Sequence, residues 1–140
     1  MTSTWKGLNR TRNEAIADTH TFLWFVTDDP SLSQTAQSLI GDVTNEIVVS
    51  PATYWEVAIK VSVGKYPLQV PFEQFFAEGI AGNDFSILPI EIRHAKILAS
   101  LPMHHKDPFD RMIVAQAIAE QVPVVSMDSA FDSYGVTRLW

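Results

Sequence analysis

The chain contains no cysteine, which excludes disulfides, thiolate metal sites and a cysteine nucleophile and fits a reducing compartment such as the cytosol. No apolar run approaches the length of a bilayer span, and the first thirteen residues, MTSTWKGLNRTRN, lack the hydrophobic centre of a signal peptide. A soluble, cytoplasmic protein without a membrane partner is the expectation. Positive charge is scarce as well. Sixteen acidic residues against ten Lys and Arg leave a net charge of −6, which argues against the broad phosphate neutralisation of a basic nucleic-acid-binding domain. A nuclease stays open, because its metal site must itself be acidic. The GxxxxGKS/T phosphate loop, the GxSxG elbow and the HExxH zinc motif are all missing, as are internal repeats and low-complexity tracts.

What is present fits one domain of 140 residues, large enough to bury about 70% of its unfolded surface. Residues 1–13 read as an N-terminal extension and 14–140 as the domain. A short strand over 14–17 stops at Asp18, and 18–20 form a turn into an apolar segment, 22–26. A helix over 33–40 ends at Gly41, and a β-branched run at 47–49 precedes Ser50-Pro51, the start of a helix to Ser62. Residues 72–80 carry aromatic side chains at helical spacing, 85–90 read as a third strand and 91–100 as a helix. Asp107-Pro108 opens a long apolar helix to Glu120, 122–125 make a fourth strand, and 130–140 close the chain with a turn and an edge strand. Alternating strands and helices imply an α/β fold, a mostly parallel central sheet with helices on both faces.

In such sheets ligands sit beyond the carboxyl ends of the strands, and that rim is acidic. Asp18 follows the first strand, Asp128 lies just past the fourth, Glu56 is in the second turn of the helix after the second, and Asp110 opens the long helix. Two carboxylates ~4 Å apart repel by about 4 kcal/mol at an effective dielectric near 20, so the cluster calls for a divalent cation. Oxygen-only ligands point to Mg²⁺ or Mn²⁺. Simpler explanations stand beside this one: Asp107 and Asp110 as helix-start acids, and Glu56 with Lys60 as an i,i+4 pair. Because the helix 51–62 is apolar around most of its circumference, it is expected to be buried, with the stripe Thr53, Glu56, Lys60 bordering a wet cleft. His104-His105 is a weak zinc signal, and His20 reads as a turn or core residue. The stretches 22–25 and 72–76 read first as core and second as docking surface.

Asp18-Thr19-His20-Thr21-Phe22-Leu23-Trp24, then YWEVAIK, then LPMHHKDPFDRMIVAQA, then VVSMDSAFDSYGV, resemble the PIN-domain ribonucleases, specifically VapC-type toxins of toxin–antitoxin systems, over residues 15–140. The resemblance implies a PIN-like fold and a metal-dependent endoribonuclease that hydrolyses RNA phosphodiester bonds with Mg²⁺ or Mn²⁺ and metal-activated water. It implies Asp18, Glu56, Asp110 and Asp128 as catalytic and metal residues, with Ser126 as a supporting hydroxyl. Asp107 has a sufficient job as a cap, and Lys60 and Arg111 are placed by sequence proximity to meet substrate phosphate. A small antitoxin, an RNA substrate and a homodimer or higher assembly are the expected partners. The alternatives are a non-catalytic PIN-like binding module and a receiver-like Mg²⁺-binding signalling domain. The latter wants an acid after the third strand, where Ile87-Leu88-Pro89 has none.

Overall fold

The computed structural model describes residues 13–140. The expected extension lies outside the described residues, apart from Asn13, which begins the first strand. The chain runs β1 (Asn13–Ala17), α1 (Thr19–Val26), α2 (Gln34–Gly41), β2 (Asn45–Val49), α3 (Pro51–Ser62), α4 (Phe72–Ala81), β3 (Ser86–Ile87), α5 (Ile92–Ala99), α6 (Pro108–Glu120), β4 (Val124–Val125), a 3-10 helix (Ser129–Tyr134) and β5 (Arg138–Leu139). The five strands are all parallel in the order β3-β2-β1-β4-β5.

β1 is central, so both faces of its short NEAIA sequence are covered. Alternation sorts its side chains. Ala15 and Ala17, with Ile47, Val49 and Val125, pack against Phe22, Ala36, Ile40 and Phe76 of α1, α2 and α4. Ile16, Val48 and Val124 point the other way, onto Ile113, Val114 and Ala117 of α6 and onto Phe131. The small alanines make room for rings: Phe22 is fully buried and stacks on Phe76 with centroids 5.6 Å apart. The core reading of Phe22 and Phe76 therefore holds.

Register explains where the acids gather. Ala17 pairs with Val49 on one side and Val125 on the other, so Asp18, Ser50 and Ser126 leave the sheet at the same level. Two of them cap the next helix directly. Asp18 accepts the Thr21 N–H and starts α1 at once, where a turn and an apolar segment were expected. Ser50 caps α3, with Pro51 in its first turn.

Several expectations are corrected. β3 covers only two residues of the expected 85–90, although the Leu88 N–H still reaches Val49 O before Pro89 ends the pairing. β4 is likewise shortened to Val124–Val125. The larger correction concerns α3, whose buried residues are Ala52, Thr53, Glu56 and Val57, while Trp55 is 62% and Ile59 43% exposed. Its polar stripe faces inward and much of its apolar surface faces out. The inward face is held by a buried hydrogen bond between the Thr19 and Thr53 hydroxyls, 3.1 Å apart, which ties α3 to α1.

Candidate functional site

Beyond the carboxyl ends of β1 and β4 the chain brings five carboxylates together: Asp18, Glu56, Asp107, Asp110 and Asp128. Asp18 is the most tightly fixed. One oxygen accepts the Thr21 N–H at 3.0 Å and the other the Ser126 hydroxyl at 2.6 Å. Burial pushes its carboxyl above the ordinary carboxylate range, while the hydrogen bonds from Ser126 and Thr21 oppose the rise. Ser126 Oγ also accepts the Asp128 N–H at 2.9 Å, so this one hydroxyl links the acids that follow β1 and β4. Asp128 Oδ1 in turn caps the 3-10 helix through the Ala130 N–H.

Glu56 approaches from α3. One oxygen meets Lys60 Nζ at 2.8 Å, and the other, Oε1, is buried without a hydrogen-bond partner. A partnerless buried carboxylate oxygen is costly unless something positive meets it. Oxygens of Glu56, Asp107 and Asp110 lie within 4.8 Å of one another. Asp107 therefore has two roles: Oδ1 caps α6 through the N–H groups of Phe109 and Asp110, and its carboxylate also joins the acidic group.

Asp110 is surrounded. Burial comes first, then repulsion from Asp107, Asp18, Glu56 and Asp128, and together these push its carboxyl up to about 8. At neutral pH it holds a proton unless a cation replaces it. Glu56, Asp107 and Asp110 offer only carboxylate oxygens, Asp110 and Asp128 group with the His105 imidazole, and Glu56 Oε1 is buried without a partner; a mainly oxygen donor set of this kind fits a hard divalent cation such as Mg²⁺ or Mn²⁺.

One residue of the cluster is read from the sequence only as half of the weak zinc signal His104-His105. His105 Nε2 lies 2.9 Å from Asp128 Oδ2 and 3.1 Å from Asp110 Oδ2. Arg111 is directed elsewhere than expected: its guanidinium holds the carbonyls of Leu101 and Pro102 and reaches the Tyr134 hydroxyl. Lys60 is engaged by Glu56. Beside the acids an open cleft is lined by Asp18, His20, Trp24, Met127, Asp128 and Ser129.

The strand order already departs from the 2-1-3-4-5 order of receiver domains. A PIN domain family model matches residues 15–136. The chain belongs to the PIN domain family. Solved structures similar to this PIN domain include VapBC2 from Rickettsia felis, bound to a DNA fragment from its promoter, with a TM-score of 0.64 and 16% identity over 89% of this chain and 96% of that one. FitAcB from Neisseria gonorrhoeae gives a TM-score of 0.59 and 16% identity over 88% and 95% of the two chains. VapBC-5 from Mycobacterium tuberculosis, of the VapBC family of toxin–antitoxin systems, gives 0.55 and 21% over 86% and 89%. At these identities the likeness is one of fold. No curated protein sequence matches the chain. Among the described residues, no helix is long and apolar enough to cross a membrane.

Proposed function

We propose that this PIN domain is a Mg²⁺- or Mn²⁺-dependent endoribonuclease acting as the toxin of a cytoplasmic toxin–antitoxin pair. The observation that carries the reading is Glu56 Oε1, buried and partnerless, beside Asp110, whose carboxyl burial and the neighbouring acids push up to about 8. Such a site is suited to a divalent cation. Asp18, Glu56, Asp110 and Asp128 are the residues assigned to hold it, with Asp107 now joining them. When bound, the cation supplies positive charge at the phosphate and activates water for attack on phosphorus.

The chain's own groups supply the rest. Asp18, tied by Ser126 and Thr21, gives the cluster a rigid floor. Asp110 releases its proton as positive charge arrives. The open cleft beside Asp18 and Asp128, with Trp24 and Met127 on its walls, gives an RNA strand a path to the acids. One of the similar structures, VapBC-5, is described as a member of the VapBC family of toxin–antitoxin systems, which supports a small antitoxin as partner. An apolar face on α3 that leaves Trp55 and Ile59 exposed supports a homodimer or higher assembly. No observation favours the non-catalytic alternative.

The test is incubation of purified protein with total RNA, with EDTA and with Mn²⁺. Cleavage is expected only with the metal, and Asp18→Asn and Asp128→Asn are expected to abolish it while remaining folded. Full cleavage by both variants would remove the assignment.

A further inference from the structure

His105 sits in the loop between α5 and α6, and that loop is clamped. The main-chain N–H groups of His104 and His105 both donate to the Tyr134 hydroxyl, at 3.0 and 2.8 Å. Arg111 holds the carbonyls of Leu101 and Pro102. The imidazole stands edge-on to Phe131, a buried core residue, with centroids 6.2 Å apart. The ring therefore faces the acids from a fixed base.

Its two nitrogens have different partners. Nδ1 accepts the Asp107 N–H at 3.2 Å, so it carries a lone pair and the ring proton resides on Nε2. Nε2–H then donates to Asp128 Oδ2 at 2.9 Å, with Asp110 Oδ2 at ion-pair distance, 3.1 Å away. A nitrogen in that state donates a hydrogen bond and has no lone pair to give a metal.

We propose that His105 is a positioning residue that holds the Asp110 and Asp128 carboxylates in mutual register through Nε2–H, and that it is not itself a cation ligand. Asp110 comes from the start of α6 and Asp128 from the turn after β4; His105 is the side chain that touches both. The proposal rests on the cation-dependent reading of the site for its consequence in catalysis. Its test reads cation binding, so the two can fail separately.

The decisive experiment is Mn²⁺ binding by calorimetry to the full chain, with the pulsed electron paramagnetic resonance signature of the bound ion. His105→Leu, which removes the donor at similar bulk, is expected to weaken Mn²⁺ binding by about 10–100-fold, the usual cost of losing an outer partner of metal ligands. His105→Gln places an amide N–H near the same point and is expected to restore most of the affinity. Tyr134→Phe, which releases the loop without touching the ring, is expected to fall between wild type and His105→Leu. Wild-type protein is expected to show no ¹⁴N coupling from a directly bound imidazole. Unchanged or tighter Mn²⁺ binding in folded His105→Leu, or a directly bound nitrogen in wild type, would overturn the proposal. RNA cleavage lost in Asp18→Asn but cation binding unaffected by His105→Leu would sink this inference alone. RNA uncut by wild type at any Mn²⁺ level would sink the nuclease reading alone.

Discussion

Asp110 concentrates the electrostatics of the site in one residue. Its carboxyl is raised from 3.8 to about 8 by burial and by four neighbouring acids. Between those pH values the unfolded chain has released this proton while the folded chain keeps it. The unfolded state then binds fewer protons, so metal-free stability falls as pH climbs from about 4 towards 8. A pKa difference of one between the folded and unfolded states corresponds to about 1.4 kcal/mol, which makes the penalty a matter of several kcal/mol near pH 8. Asp110→Asn, which cannot ionise, is expected to melt at a higher temperature than wild type at pH 8 in EDTA, with the gap closing by pH 4. Thermal melts across that range check it, and an Asn variant less stable than wild type at pH 8 would contradict it.

At the scale of elements, the sequence discloses starts better than faces. Asp107-Pro108, Ser50-Pro51 and Ser33 are local signals read by the backbone immediately after them, and the structure begins α6, α3 and α2 at those points. Which side of a helix turns inward is decided by distant partners. For α3, the Thr19 hydroxyl holds Thr53 inward, and the same face carries Glu56 in among the other acids, which leaves Trp55 62% exposed. The same reasoning covers the site. Asp18, Glu56, Asp110 and Asp128 could be placed on one rim from strand and helix order, whereas the approach of His105 and the second role of Asp107 depend on a loop conformation fixed by Tyr134, which lies 29 residues from His105 in sequence. The seating of α4 is a further contact invisible in sequence. Gly79 sits where an added Cβ would come within 3.0 Å of Phe22 Cζ and 3.3 Å of Val26 Cγ1. Alanine there gains about 0.8–1 kcal/mol in helix propensity, but Phe22 is locked in the core, and overpacking costs about 1–3 kcal/mol. Gly79→Ala is expected to lower the denaturation midpoint; a rise would mean that Phe22 yields more easily than its burial implies.

For the molecule as a whole, cation, proton and fold are linked. A ligand that binds only the folded state stabilises it by about 2.7 kcal/mol at a concentration one hundred times its dissociation constant. In a domain of this size that is a rise of roughly 5–10 °C in melting temperature. Binding requires Asp110 to lose its proton, so apparent affinity falls by up to about tenfold for each pH unit below 8. The same Mn²⁺ concentration is therefore expected to raise the melting temperature substantially at pH 8 and much less at pH 6, with EDTA reversing both shifts. Asp110→Asn removes the proton competition along with a ligand, so its smaller Mn²⁺ shift is expected to be nearly flat across the same interval. Parallel melts of the two proteins with and without Mn²⁺ read both effects at once. A wild-type shift of equal size at pH 6 and pH 8 would show that the cation does not displace the Asp110 proton. The stabilising charge would then have to be taken up elsewhere in the cluster, with Asp128 at the open edge of the cleft the first residue to test.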